Sequence, residues 1–250
     1  MRTQSTTAGS DRPRFGAAVL TAMPMELAPV RRLMEDVQPF PLLGGRAVSG
    51  RLGGVDIVAT AVGVGTREAR ETTERVMQTV SVPLVLVVGI AGASAPHLKI
   101  GDVVVPERVI HGPAGTTHTS TTSVARLDRK GVIRTHDELL VDADAIAALH
   151  REGVIAMDME TGSIAAVCER NGVEWTAFRA ISDNVEGPVD KDIMTMLNRD
   201  GTPNMGAAVR FMARKPHKIP HLITLGRDGS RACKAAAAAA ERALKNLNRP

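Results

Sequence analysis

Three features of the sequence predict an α/β fold, a single domain with a helical C-terminal region. Short apolar runs alternate with segments of helical periodicity. One of the runs, Leu84 to Val88, is continuously apolar, as a central parallel strand is. At 250 residues the chain is long enough to bury one sizeable core. Residues 1–14, rich in Ser, Thr, Gly and Arg, are expected to be disordered; residues 15–250 form the expected domain, with a helical basic tail over about 205–250.

Phe15 to Thr21 reads as a buried first strand, and Pro24 opens a helix from Met25 to about Asp36. Ala47 to Leu52 and Val55 to Ala61 flank Gly53-Gly54, a hairpin signal. Gly63-Val64-Gly65 leads into a helix from Thr66 to about Thr79. The apolar run at Leu84 breaks into Gly89-Ile90-Ala91-Gly92-Ala93, where small residues permit close approach of a ligand or a tight packed turn. Gly101 to Pro106 is a further turn and strand. His111 to Arg129 lacks periodicity and reads as a mobile loop. A short strand near Gly131 to Arg134 and a helix from Asp144 to Arg151 follow, then a helix opened by Glu160 and a strand from Trp175 to Ile181. Past Val185 the pattern predicts a short helix near Asp192 to Leu197, a helix from Met205 to Ala213, punctuation at Pro216 and Pro220, and an Ala-rich helix from Ser230 to about Leu247.

Composition narrows the function classes. Aromatic residues are 2% of the chain, with no Tyr, too few for a base-stacking surface, so nucleic acid is not an expected partner. The net charge of +4 is concentrated late: ten Lys and Arg between Arg210 and Arg249 face two acids, Asp228 and Glu241. A packed or solvated helix is the first explanation of that tail; contact with an anionic membrane surface is the lesser one. Cys168 and Cys233 have neither metal-ligand nor disulfide spacing and read as reduced thiols. His111 and His118 lack partners at metal spacing, so no metal is expected. Gly63-Val64-Gly65 lacks the third glycine and downstream acid of a dinucleotide site, so no cofactor is expected either. With no apolar leader in residues 1–14 and no run long enough to span a bilayer, a cytoplasmic protein is predicted.

The stretch from Met157 to Val185 carries the clearest chemistry. Glu160 begins a helix, and Ser182-Asp183 sits beyond the carboxyl end of the next strand, the edge where open α/β sheets bind ligands. Asp183 is there a candidate proton donor or acceptor, although strand-end Asp residues also cap turns. Glu26, in the first turn of its helix, equally suits the helix dipole.

Four segments in this order, AVLTAMPMEL (18–27), VVGIAGASAPHLKIGDVVVP (87–106), MDMET (157–161) and RAISD (179–183), resemble the purine nucleoside phosphorylase and nucleosidase superfamily, particularly its methylthioadenosine/S-adenosylhomocysteine nucleosidase branch. The likeness spans about Phe15 to Val185. It implies a three-layer α/β/α domain on a central mixed, mostly parallel sheet, and a homodimer or larger homo-oligomer. It further implies that Met159 and Glu160 grip a ribose, that Asp183, beside Ser182, protonates the purine leaving group, and that Glu26 activates water. Ile90, Ala91 and Gly92 would supply backbone near the sugar. The resemblance thus implies hydrolysis of the N-glycosidic bond of a 5′-modified purine nucleoside. Phosphorolysis of the same bond is the alternative, with Arg46, Arg51 and Arg67 available for the anion, and a non-catalytic nucleoside binder is another.

The chain departs from the family pattern in two places. The middle region is shortened to His111–Arg134, and Glu138, Leu139 and Leu140 stand where a base-stacking aromatic is expected. Leu139 can pack on a purine face without an aromatic quadrupole. The tail, ARKPHKIPHLITLGRDGSRACKAA, is similar to a phosphorylase-like branch associated with hopanoid synthesis, whose nucleoside carries a large apolar 5′ group.

Overall fold

The computed structural model describes residues 12–121, 131–183, 195–198 and 200–247. In the first half of the chain, β1 (Ala17–Thr21) and α1 (Pro24–Leu33) precede β2 (Glu35–Phe40), β3 (Ala47–Leu52), β4 (Val55–Ala61), α2 (Thr66–Thr79) and β5 (Leu84–Ala93). Next come β6 (Val103–Val104), β7 (Arg108–His111), β8 (Thr116–Thr119), β9 (Val132–Thr135), α3 (Ala143–Arg151), β10 (Val154–Asp158), α4 (Thr161–Arg170) and β11 (Glu174–Asp183). Two helices, α5 (Met205–Arg214) and α6 (Ile219–Leu247), complete it.

The strands form one mixed sheet, ordered β2-β3-β4-β1-β5-β10-β9-β7-β8, with β11 and then β6 branching from β5. Its centre is parallel: β4, β1, β5 and β11 run the same way. β5 extends past the end of β1, and on the edge so vacated Gly92 and Ala93 pair antiparallel with Met157 and Ala156 of β10. β5 is therefore flanked at its carboxyl half by both β10 and β11.

Strand side chains alternate between faces, and the core divides accordingly. Ala18, Leu20, Val85 and Val87 pack with Val76 of α2 and Ile164 and Val167 of α4 on one face. Ala17, Val19, Leu86 and Val88 pack with Leu27 and Val30 of α1 and a run of α6 alanines on the other. Three layers result. With few aromatics available, small residues on α6 let its axis approach the sheet closely, and the backbone of Glu241 lies within 2.8 Å of where a Cβ on Gly53 would fall. Gly53 and Gly54 both have positive φ, as the two-residue hairpin between β3 and β4 requires.

Several expectations are corrected. The first helix ends at Leu33, where Met34 turns extended, and Glu35–Phe40 is an edge strand against β3. β5 does not break at Gly89; it continues to Ala93 because β10 and β11 supply partners for its backbone. β11 continues through a bulge to Asp183, which is the strand's last residue. The expected loop from His111 contains β8, a hairpin partner of β7. Residues 122–129 of that loop lie outside the described residues, as do residues 1–11 of the expected disordered segment and 192–194 of the short helix expected over Asp192 to Leu197. Arg14, assigned to the disordered segment, instead pairs with Ser81. The last helix starts at Ile219, since Pro220 occupies a first-turn position where its missing N–H has no helical partner to lose.

Candidate active site

Three elements of chemistry converge on the carboxyl half of β5. The register of β5 with β11 sets Arg179 opposite Gly89 and Asp183 opposite Gly92. β10 brings Asp158 alongside, and Glu160, two residues on, stands at the N-cap of α4. Glu26 enters from α1 on the strength of its capping position: its Oε2 accepts from the backbone N–H of Ala22 (2.7 Å) and Met23 (2.9 Å). Its other oxygen accepts from Ile90 N–H at 2.8 Å. The cap and the site are thus one interaction.

Arg179 organises this end of the site, and it is absent from the residues singled out in the sequence. It is 0% exposed. Its Nε donates to Asp158 Oδ2 (2.8 Å) and Thr161 Oγ1 (2.9 Å), and Nη2 donates to Glu160 Oε2 (3.1 Å). Nη1, buried, has no hydrogen-bond partner among the described residues. The signal for it was present. A cation in TAFRAISD, a strand buried on both faces, is tolerable only when paired with acids brought from elsewhere. Asp158 is held in turn by the hydroxyls of Thr135, at 2.6 Å, and Thr161. Glu160 Oε1 accepts from Gly65 N–H at 3.0 Å, which gives the Gly63-Val64-Gly65 turn a role.

Glycine at position 89 is a steric requirement. A Cβ there would fall 2.4 Å from Glu26 Oε1 and 2.5 Å from Arg179 Nη1. The same holds at Gly92, where a Cβ would lie 2.8 Å from Asp183 Oδ2. Three residue steps along the strand separate the two positions, roughly 10 Å of backbone. One acid cluster and one isolated acid therefore lie along a single strand, the first at Gly89 and the second at Gly92.

One guanidinium cannot offset Glu26, Asp158 and Glu160 together. Burial pushes the Glu160 carboxyl up to about 7, with Arg179 opposing and the neighbouring acids adding to the rise. Burial raises Glu26 as well, against the pull of Arg179 and three backbone donors. Asp183 is raised by burial, and the Ser182 hydroxyl, donating to its Oδ1 at 2.7 Å, partly counters this. Because Glu160 binds its proton more tightly folded than unfolded, the stability it contributes is fully present below about pH 4.5 and is lost as pH rises through about 7. The melting temperature of the unliganded protein is expected to fall across that window by the equivalent of on the order of 3 kcal/mol. Glu160→Gln should flatten the decline; an equally steep profile in the variant would refute the assignment.

The remaining sequence candidates divide. Ile90, Ala91, Gly92, Met159 and Ser182 all border the convergence, through Ile90 N–H, the Asp183–Gly92 register and the step from Asp158 to Glu160. Met159 lines a cavity of about 470 Å³ with Val64–Glu68, Asp137, Leu197 and Asn198. Leu139 is half-buried in the loop after β9. A second cavity, of about 220 Å³, lies against Ser182 and Asp183, walled by Ile100 and by His221, Thr224, Leu225 and Asp228 of α6. The arginines considered for an anion are scattered: Arg46 pairs with Asp200, Arg51 with Glu35 and Asp36, and Arg67 with Glu71. His118 engages Glu169 through Nδ1 at 2.7 Å, and its ring lies 6.0 Å from that of His111. Both cysteines are buried and reduced, their thiols pushed up to about 12 by burial.

Fold and site together define an α/β protein that gathers buried acids at the carboxyl ends of its parallel strands, the arrangement of a small-molecule enzyme. The chain belongs to the phosphorylase superfamily, whose family model matches residues 17–135 and 121–211. It is 28% identical over 196 residues to a 5′-methylthioadenosine/S-adenosylhomocysteine nucleosidase of Geobacillus kaustophilus, covering 67% of this chain and 83% of that one. A Marinomonas nucleosidase of the same description is 26% identical over 195 residues, covering 66% and 84%. Among solved structures, the Neisseria meningitidis nucleosidase in complex with methylthio-immucillin-A superposes with a TM-score of 0.70 at 20% identity, over 92% of this chain and 98% of that one. Futalosine hydrolase of Helicobacter pylori gives 0.70 at 20% identity, over 94% and 97%. These similarities agree with the three-layer fold and the family expected from the sequence.

Proposed function

We propose that this protein hydrolyses the N-glycosidic bond of a 5′-modified purine nucleoside, releasing the free base and the sugar. The observation that carries the reading is the placement of Asp183, its carboxyl raised by burial, and of Glu26 with Arg179 at opposite ends of one four-residue stretch of β5, Gly89 to Gly92. In the reaction the C1′–N9 bond breaks as Asp183 gives its proton to N7, so the purine leaves neutral. Glu160 accepts hydrogen bonds from the ribose hydroxyls, with Met159 against the ring. On the other side of the sugar, the unsatisfied Arg179 Nη1 donates to a water oxygen while Glu26 takes a proton from that water. Its oxygen bonds to C1′. The names of the relatives, nucleosidases of methylthioadenosine and S-adenosylhomocysteine, support a purine with a substituted 5′ position.

Hydrolysis is favoured over phosphorolysis because Arg46, Arg51 and Arg67 are each exposed and engaged by an acid rather than gathered at the cluster. A panel of purine nucleosides, assayed for released base with and without inorganic phosphate, tests this. Turnover is expected to be unchanged by phosphate and to yield free sugar; strict phosphate dependence with sugar 1-phosphate as product would replace hydrolysis by phosphorolysis. Binding without turnover by a folded sample would indicate a non-catalytic relative.

A further inference from the structure

The basic tail is two structures, divided at Gly229. From Gly229 to Leu244, α6 buries a stripe of small and apolar residues. Before it, none of Ile219–Asp228 is fully buried, and α5 buries only Phe211. Large apolar side chains are instead turned outward in this part: Met205 is 67% exposed, Val209 58% and Ile223 67%. Met205 and Val209 stand one turn apart on α5, while Ile223 belongs to the first turns of α6, beyond the short turn at Pro216–Lys218. Between Gly201 and Arg227 the chain carries Arg210, Arg214, Lys215, Lys218 and Arg227 and no acid at all. The exposed apolar residues of the tail thus lie among cations, although the sequence from Gly229 on, with Arg231, Lys234, Arg242, Lys245 and Arg249 against Glu241, carries as large a surplus as the part up to Asp228.

Outward apolar side chains interleaved with cations on α5 and the start of α6 fit the boundary of an anionic bilayer, where the apolar groups leave water and the cations meet lipid phosphates. No described helix is long and apolar enough to cross a membrane, so the fit is to its surface. A second copy seated on this face would set the same five cations against each other. A peptide groove suits a single helical stripe, whereas these residues are distributed over two helices joined by a turn. We infer that α5 and the first turns of α6 form a docking surface for anionic membranes, with Met205, Val209 and Ile223 entering the headgroup region and Arg210 and Arg214 contacting phosphates.

Flotation of the full-length protein with vesicles of phosphatidylcholine alone, or with phosphatidylglycerol added, tests this directly. The protein is expected to float with the anionic vesicles, to be released as salt is raised, and to stay in solution with neutral ones. Val209→Asp with Ile223→Asp, and separately Arg210→Glu with Arg214→Glu, should each weaken partitioning about tenfold or more while circular dichroism is unchanged. Docking is overturned if wild type ignores both vesicles, if it binds both alike at any salt, or if folded charge-reversal protein floats as well as wild type. Self-association abolished by the apolar pair, or capture of an acidic polypeptide, without flotation would also overturn it and assign the face to a protein partner.

Discussion

Asp183→Asn is expected to lower kcat on the best nucleoside by about 10²–10⁴-fold, the usual contribution of a positioned general acid. The substitution preserves shape and can still accept the Ser182 hydroxyl, so the bulged end of β11 should be retained. What is lost is a group that can donate a proton: burial raises the Asp183 carboxyl, which favours its protonated form, whereas an amide has no such proton to give. The effect should fall on kcat more than on KM, because the interaction is made chiefly as the bond breaks. The alkaline limb of the wild-type kcat profile should also disappear. An Asn variant with full activity would remove Asp183 from the mechanism and leave the Gly92–Asp183 approach as strand packing.

The largest effect on stability is expected at Arg179. Replacing it by Met fills much of the space but leaves Glu26, Asp158 and Glu160 facing each other without a cation, a change of the kind that costs about 3–5 kcal/mol. The sign with pH follows from the same charges. Without the guanidinium, Glu26 and Glu160 rise further, so the variant's deficit should be small in acid and grow as pH rises through neutrality. Denaturant titrations of both proteins at acid and neutral pH separate this from simple packing damage, which would give the same deficit at both. Arg179→Lys should recover part of the stability without recovering turnover, since one ammonium cannot reproduce the forked contacts to Asp158 and Glu160 while aiming a further donor past Gly89.

What could be read from the residues depended on whether partners were near in sequence. The parallel centre of the sheet, the Gly53-Gly54 hairpin and the helix opened by Glu160 follow from local periodicity and turn chemistry, and the structure has them. Glu26, Glu160 and Asp183 were legible as acids at element ends. Arg179 was passed over because its meaning lies in Asp158, Glu160 and Gly89, which register brings to it from other strands. The β7–β8 hairpin was hidden for a related reason. TTHT has no alternation of apolar residues, and its strand character comes from pairing with Arg108–His111. In the tail, composition revealed the charge but could not place the boundary at Gly229, which depends on how much of α6 the sheet covers.

The pairing of β5 with β11 also has a consequence in time. The two strands are separated in the chain by everything from Ser94 to Val173, including β10 and its acids. Asp183, Arg179 and the acids that Arg179 holds come into register only when this long-range pairing closes, a slow class of folding event. The gathered acids therefore belong to a late stage of assembly, and a chain still emerging or half folded can expose them without ever presenting them as a set.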